Sequence, residues 1–266
     1  MTTYLIKEWK EQSRGKGLWL GLGIIILVSI FILIEARNYP TEQSFEVFLV
    51  SLYEMNVYLL PLLCLFLASF TIMQEKELKT LMILMTKKES YRSFLLKKSV
   101  AVHGVMLALF VGWYFLLAIP MKFLLPFETS SFLTFLVSVI IFIVIFNQVG
   151  VFLGSICSSR MQVVGACVFV WFLFVFLADL VYLYFLPAVT LDNVLIFSIL
   201  FFLHPLHAIR IYLENSIGIF SLEYMSRLME KMIWLSPVMF VMLNIIIWTI
   251  VSFELAVRLK RKGVRA

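Results

Sequence analysis

His204 and His207 stand three residues apart, a spacing that sets two imidazoles on one face of a helix. They are the nearest approach to a metal-binding pair in this sequence. A zinc or copper centre needs a third ligand, and none lies near in the chain, so the pair reads as a structural or helix-start feature. Cys64, Cys157 and Cys167 fall in or beside apolar runs with no C-x-x-C spacing, which reads as packing rather than a metal site or a disulfide framework. The thirteen methionines lie mostly on apolar faces, where methionine is ordinary filler. No metal site is expected.

Catalytic spacings are missing too. The sequence has no H-E-x-x-H, and Leu153-Gly154-Ser155-Ile156 lacks the second glycine of a G-x-S-x-G turn. Ser13-Arg14-Gly15-Lys16-Gly17 is not a phosphate loop, and no G-x-x-x-x-G-K-[ST] occurs. The chain reads as a non-enzyme without a cofactor of its own, so any nucleotide hydrolysis belongs to another chain.

The elements around these residues are membrane elements. Hydrophobic residues make up 62% of the 266, charged residues 14%, and the mean hydropathy is +1.01. Several runs reach the roughly 20 residues needed to cross a bilayer as a helix. Six spans are expected at about 18–34, 56–73, 99–119, 132–156, 163–186 and 233–253. The first has a charged start but no small-x-small cleavage site, and is read as a retained anchor. Pro61 sits one turn inside the second span as a candidate kink, and Pro120 closes the third. Residues 36–55 form an acidic outer loop carrying Glu42, Glu46 and Glu54.

Lys and Arg set the orientation. Four lie before the first span, seven in 74–98, one at Arg160 and five in the C-terminal tail, leaving five for the opposite side. That bias places both termini in the cytoplasm and accounts for the net charge of +6 without nucleic acid.

Residues 74–98 interrupt the lipid-like pattern. They carry Lys76, Lys79, Lys87, Lys88, Arg92, Lys97 and Lys98, yet Leu78, Leu81, Met82 and Met85 recur at i, i+3, i+4 and i+7. Such a stripe suits a surface that presses on a soluble partner. It equally suits a basic loop dipping into lipid headgroups, and pattern alone leaves both readings open. Residues 1–17 read as an interfacial amphipathic helix, with Leu5, Ile6 and Trp9 toward the membrane and Lys7, Glu8, Lys10, Glu11 and Arg14 toward water.

Among the polar residues within spans, Asn147, Gln148, Asp179 and Asn244 stand out. A lone carboxylate at lipid depth costs about 2.5–3.5 kcal/mol on insertion scales, so Asp179 needs a partner or water. Either it lines a polar seam or subunit contact, or it sits near the outer interface and is solvated. Asn147-Gln148-Val149-Gly150, with Gly154 and Ser158 beyond, puts a small residue at every fourth position, which marks close helix packing. In 187–231 the run 194–203 is too short to cross. After His204-Pro205 a short helix is expected with Leu206, Ile209 and Leu213 on one side, and over 220–232 the helical spacing of Met225, Leu228, Met229 and Met232 opposite Glu223, Arg227 and Glu230 predicts another. Re-entrant or interfacial helices in the outer leaflet are expected there.

The 74–98 stretch resembles the signature of ABC-2 type permeases, roughly E-R-x-x-G-T-L-x-x-L-L-x-x-P-x-S-R followed by G-K. Glu75-Lys76-Glu77, Thr80-Leu81, Leu84-Met85, Ser90, Arg92 and Lys98 fit it. Lys79 stands in place of the usual Gly, Lys88 in place of Pro, and Arg92 is displaced by one. Trp171-Phe172 through Asp179 is similar to a W-[FL]-x-x-V-x-x-x-D segment. Leu203-His204-Pro205 through Arg210 is similar to L-N-P-x-D-x-[FY]-R with His at two positions. Both patterns are those of the subfamily typified by the membrane subunit of the nitrous-oxide-reductase maturation transporter, which these segments resemble.

The resemblance implies an all-α integral membrane protein with six transmembrane helices, a single exporter-type permease domain over 1–266, working in the cytoplasmic membrane of a bacterial-type cell. It implies two ABC ATPase subunits, which carry the ATP and Mg, and a second permease copy or a similar sister subunit. It leaves room for an extracytoplasmic accessory protein, with membrane lipid as the surroundings and no nucleic acid. Glu75, Glu77, Leu78, Thr80, Leu81, Met82 and Met85 would touch the ATPase, with Lys87, Lys88 and Arg92 at the edges. Asp179 would serve in the dimer core, and the outer helices bearing His204, Pro205, Arg210, Glu223 and Arg227 would cap the pathway. The alternatives are a non-transporting immunity or assembly factor, and a transporter of metal or sulfur species for cofactor maturation.

Overall fold

Every span-length apolar run becomes a helix, because lipid offers no partner for a free N–H or C=O. The computed structural model describes residues 2–40, 43–78, 90–218 and 226–263, and among these there is no strand. The helices are α1 (Thr2–Arg14), α2 (Lys16–Ala36), α3 (Ser44–Glu77), α4 (Tyr91–Leu124), α5 (Thr129–Ile156) and α6 (Arg160–Phe172). A π-helical turn (Leu173–Leu177) leads into α7 (Ala178–Phe185). The chain continues through α8 (Val194–Leu203), α9 (Pro205–Ser216), α10 (Arg227–Met232) and α11 (Pro237–Gly263). Six stretches are long and apolar enough to cross a membrane: Lys16–Ala36, Ser44–Glu77, Tyr91–Leu124, Thr129–Ile156, Arg160–Ala188 and Arg227–Leu259. The described residues form an all-helical fold, and the protein is multi-pass.

Several expected boundaries move, each for a packing reason. The loop expected over 36–55 shortens, because α3 begins at Ser44. Phe45, Phe48, Leu49, Leu52 and Tyr53 are buried at helical spacing while Glu46 and Glu54 point away, so this stretch extends the span. Pro120 does not end α4, and α3 runs through Pro61. A proline removes one backbone bond, whereas ending a helix at lipid depth would strand several groups. The last span is broken: α10 stops at Met232 and α11 starts at Pro237, which suits a first helical position. Only Arg227–Met232 of the helix expected over 220–232 falls in the described residues; Glu223 lies outside them.

α5 is the axis of the bundle. Of its most apolar window 78% is buried, against 22–56% for the other five spans. It lies backbone to backbone on α3, as the four-residue spacing of small side chains predicts. A Cβ added to Gly150 would come within 2.9 Å of the Leu65 carbonyl, and one on Gly154 within 2.6 Å of the Ser69 carbonyl. Several polar side chains in the spans turn inward: Tyr114 donates to Asn56 Oδ1 at 2.6 Å, and the Ser99 hydroxyl to Gln148 Oε1. Large apolar residues such as Phe31, Leu116 and Leu183 face outward, as a lipid-facing surface requires.

α8 and α9 meet at a 94° bend at His204. Its ten residues make α8 too short to cross, so its last carbonyls need partners at depth. They find them on neighbouring helices. Tyr182 donates to Leu200 O at 2.7 Å, Asn244 to Phe202 O at 2.6 Å, and the Trp248 indole to Leu203 O at 3.0 Å. Tyr53 donates to Leu206 O at 3.0 Å on the far side of the bend.

Candidate functional site

Residues 79–89 join α3 to α4, so the ends of those helices are the base on which that segment stands. Thr80, Leu81, Met82, Met85, Lys87 and Lys88 lie outside the described residues. Three consecutive residues close α3, and at about 100° per residue their side chains leave the helix in three directions. Each direction is taken by a different neighbour.

Glu75 points inward. Its Oε1 accepts from Lys98 Nζ at 2.9 Å and from Lys7 Nζ at 2.6 Å. Lys98, only 1% exposed, also pairs with Glu8 Oε2 at 2.6 Å, and Gln12 Nε2 bridges Glu8 Oε1 and Thr71 Oγ1 at 3.0 Å each. Lys76 points along the bundle and donates to Ser155 O at 2.7 Å and Cys157 O at 2.8 Å, satisfying free carbonyls at the end of α5. Glu77 points outward and receives both Nε and Nη2 of Arg160, the first residue of α6, in a two-point clamp. At the start of α4, Arg92 pairs with Glu254 near the end of α11. Since α1 and the last turns of α11 both reach α4's first turns, the two chain ends lie at the same end of the bundle.

Two expectations need correction here. Glu75, expected on a partner-facing surface, is buried and holds two lysines. Glu8 and Glu11, expected to face water, turn toward the protein, because a lysine as enclosed as Lys98 is tolerable only with carboxylates beside it. The outer face of α1 shows Ile6 and Trp9, as expected, together with Lys7 and Lys10. Leu78 is exposed and Arg92 largely so, while Glu77 is exposed but has both oxygens engaged.

The remaining candidates are dispersed. Asp179 lies on α7 with its side chain 60% exposed, its Oδ1 3.2 Å from His207 Nε2. Gln148 belongs to the α4–α5 contact, and Asn244 holds the end of α8. Asn147 is buried with neither amide atom hydrogen-bonded. His204 packs against Phe174 and His207, and Pro205 opens α9. Arg210 reaches Glu214 at 2.8 Å and Glu54 at 3.3 Å, tying α9 to α3. Arg227 opens α10 one residue after Ser226, whose hydroxyl caps it. Among the described residues no three His, Cys, Asp or Glu side chains are placed to hold a metal.

Lys7, Glu8, Lys98 and Glu254 escaped the sequence reading as functional positions. Glu8 and Gln12 stand at i, i+4 on one face of α1, but only folding brings them to Lys98 and Thr71. No protein-family model matches the chain, and no curated protein matches it at a significant level. Geometry and the sequence pattern carry the functional argument.

Proposed function

We propose that this chain is the membrane subunit of an ATP-binding-cassette transporter, moving its cargo, by export, across the cytoplasmic membrane. A separate ATPase pushes on residues 79–89, and the end of the bundle that carries both termini faces the cytoplasm. One observation supports this reading above the rest: Glu75, Lys76 and Glu77 bind in turn to α1 and α4, to the end of α5, and to the start of α6. A load applied at residues 79–89 passes at once into four other helices. A passive surface loop has no need of that bracing.

In this reading Leu78, Thr80, Leu81, Met82 and Met85 meet the ATPase, Lys87, Lys88 and Arg92 flank the contact, and Glu75 and Glu77 hold its base. Two ATPases, each with ATP and Mg, serve a pair of permeases, the second being another copy or a sister chain. Asp179 belongs to their shared surface. The test is co-purification: replacing Leu81 or Met85 by Asp abolishes recovery of the ATPase while membrane insertion persists. Undiminished recovery refutes the proposal and favours a motor-free immunity or assembly role.

A further inference from the structure

Beside the ion-paired cluster a cavity of about 420 Å³ opens between α1, α2 and α3. Its outer wall carries Glu8, Glu11, Gln12, Thr71 and Gln74, with Arg160 at the rim. Its deeper wall is Leu18, Leu67 and Phe70. From Gln74 to Leu67 is about 10 Å along a helix, so the lining passes from charged to apolar over roughly the reach of a lipid head group.

The charges on the wall are unevenly satisfied. Lys7 and Lys98 face three carboxylates, Glu8, Glu11 and Glu75. Glu8 and Glu75 hold the lysines at 2.6–2.9 Å, whereas both lysines stand 3.6 Å from Glu11, beyond a hydrogen bond. The Glu11 carboxylate is thus the acceptor on this wall with capacity to spare. Across the cavity Arg160 uses Nε and Nη2 on Glu77 and keeps Nη1 for another acceptor.

We propose that this cavity binds a phospholipid whose head group carries a primary ammonium, of the phosphatidylethanolamine class. The ammonium donates to Glu11, the phosphate meets Arg160, and an acyl chain runs over Leu67 and Phe70. A trimethylammonium head has the charge but no N–H to give, and an anionic head meets Glu8 and Glu11 unfavourably. The assignment is independent of the transport reading and needs only a membrane surface at this end of the bundle.

Native mass spectrometry of the full-length protein tests it, using equimolar phosphatidylethanolamine, phosphatidylcholine and phosphatidylglycerol with identical acyl chains. The wild type retains the first about tenfold over the others, the factor one charge-assisted hydrogen bond supplies. Glu11→Gln brings the three to parity, and Leu67→Trp, which fills the apolar floor, lowers retention of all. Equal retention by the wild type, or an unchanged preference in Glu11→Gln, overturns the proposal. Displacement of the lipid by water-soluble glycerophosphoethanolamine at equal concentration also overturns it, by assigning the site to a soluble head group. Should Glu11→Gln not yield monodisperse protein, unchanged phosphatidylethanolamine retention in Leu67→Trp is by itself enough to overturn it.

Discussion

Glu75, in the last turn of α3, and Lys98, two turns into α4, meet at 2.9 Å with residues 79–89 between them in the chain. The pair clamps shut the two ends of the stretch that joins those spans. Lys7 and Glu8 of α1 bind the same two residues, so the N-terminal helix is built into the clamp. Enclosed as it is, the cluster is exacting: its charges are tolerable together and costly singly.

Lys98→Met therefore lowers stability by about 3–5 kcal/mol, since it strands Glu8 without its cation and leaves Glu75 with Lys7 alone. Thermal unfolding in detergent measures this. Adding Glu8→Gln and Glu75→Gln to Lys98→Met restores part of the loss, because the abandoned charges go with the lysine.

Gly154→Leu forces α3 and α5 apart, since even a Cβ there would lie 2.6 Å from the Ser69 carbonyl. A loss of about 1–3 kcal/mol is expected from overpacking of this kind. Gly165→Ala is the contrast. Nothing lies within 4 Å of the added Cβ, so stability holds or rises slightly.

Asn244→Leu removes the donor that holds Phe202 O, leaving that carbonyl short of a partner at depth. About 1–3 kcal/mol is expected, read as a lower unfolding temperature. Faster amide exchange over α8 and α9, with the other spans unchanged, locates the damage.

Glu77→Gln opens the clamp on Arg160 at an exposed site, so the unfolding temperature hardly moves. Under the proposed coupling, stimulation of the partner ATPase by cargo falls. Unaltered stimulation means that the α3–α6 brace transmits nothing.

Leu78→Cys tests the orientation. Cys64, Cys157 and Cys167 are buried, so background labelling is low. A membrane-impermeant maleimide leaves Leu78→Cys unmodified on intact cells and labels it after permeabilisation, while Asn38→Cys at the opposite end is labelled from outside. The reverse pattern inverts the proposed topology.

Span number and class were legible in the sequence because an apolar run of sufficient length has one stable solution in lipid. Gly150 and Gly154 announced a close helix contact on α5, but not that α3 would be the partner. The start of α3 was not legible: Glu46 and Glu54 suggested a loop, although Phe45, Phe48, Leu49 and Leu52 already showed a buried face. Glu75 was misread because charge signals a surface only when its partner is unknown. Lys98 and Lys7 lie 23 and 68 positions away, and local pattern does not encode such a pairing.

The α8–α9 bend hangs from side chains that belong to α3, α7 and α11, through Tyr53, Tyr182, Asn244 and Trp248. The buried face of α9, Leu206, Ile209 and Leu213, packs on the same bundle. When those three rods change their spacing, the hairpin must tilt or let go of a carbonyl, so it acts as a gauge of their separation. Exchange rates at Leu206 and Ile209 would then register, at this face of the molecule, a displacement begun at the opposite one.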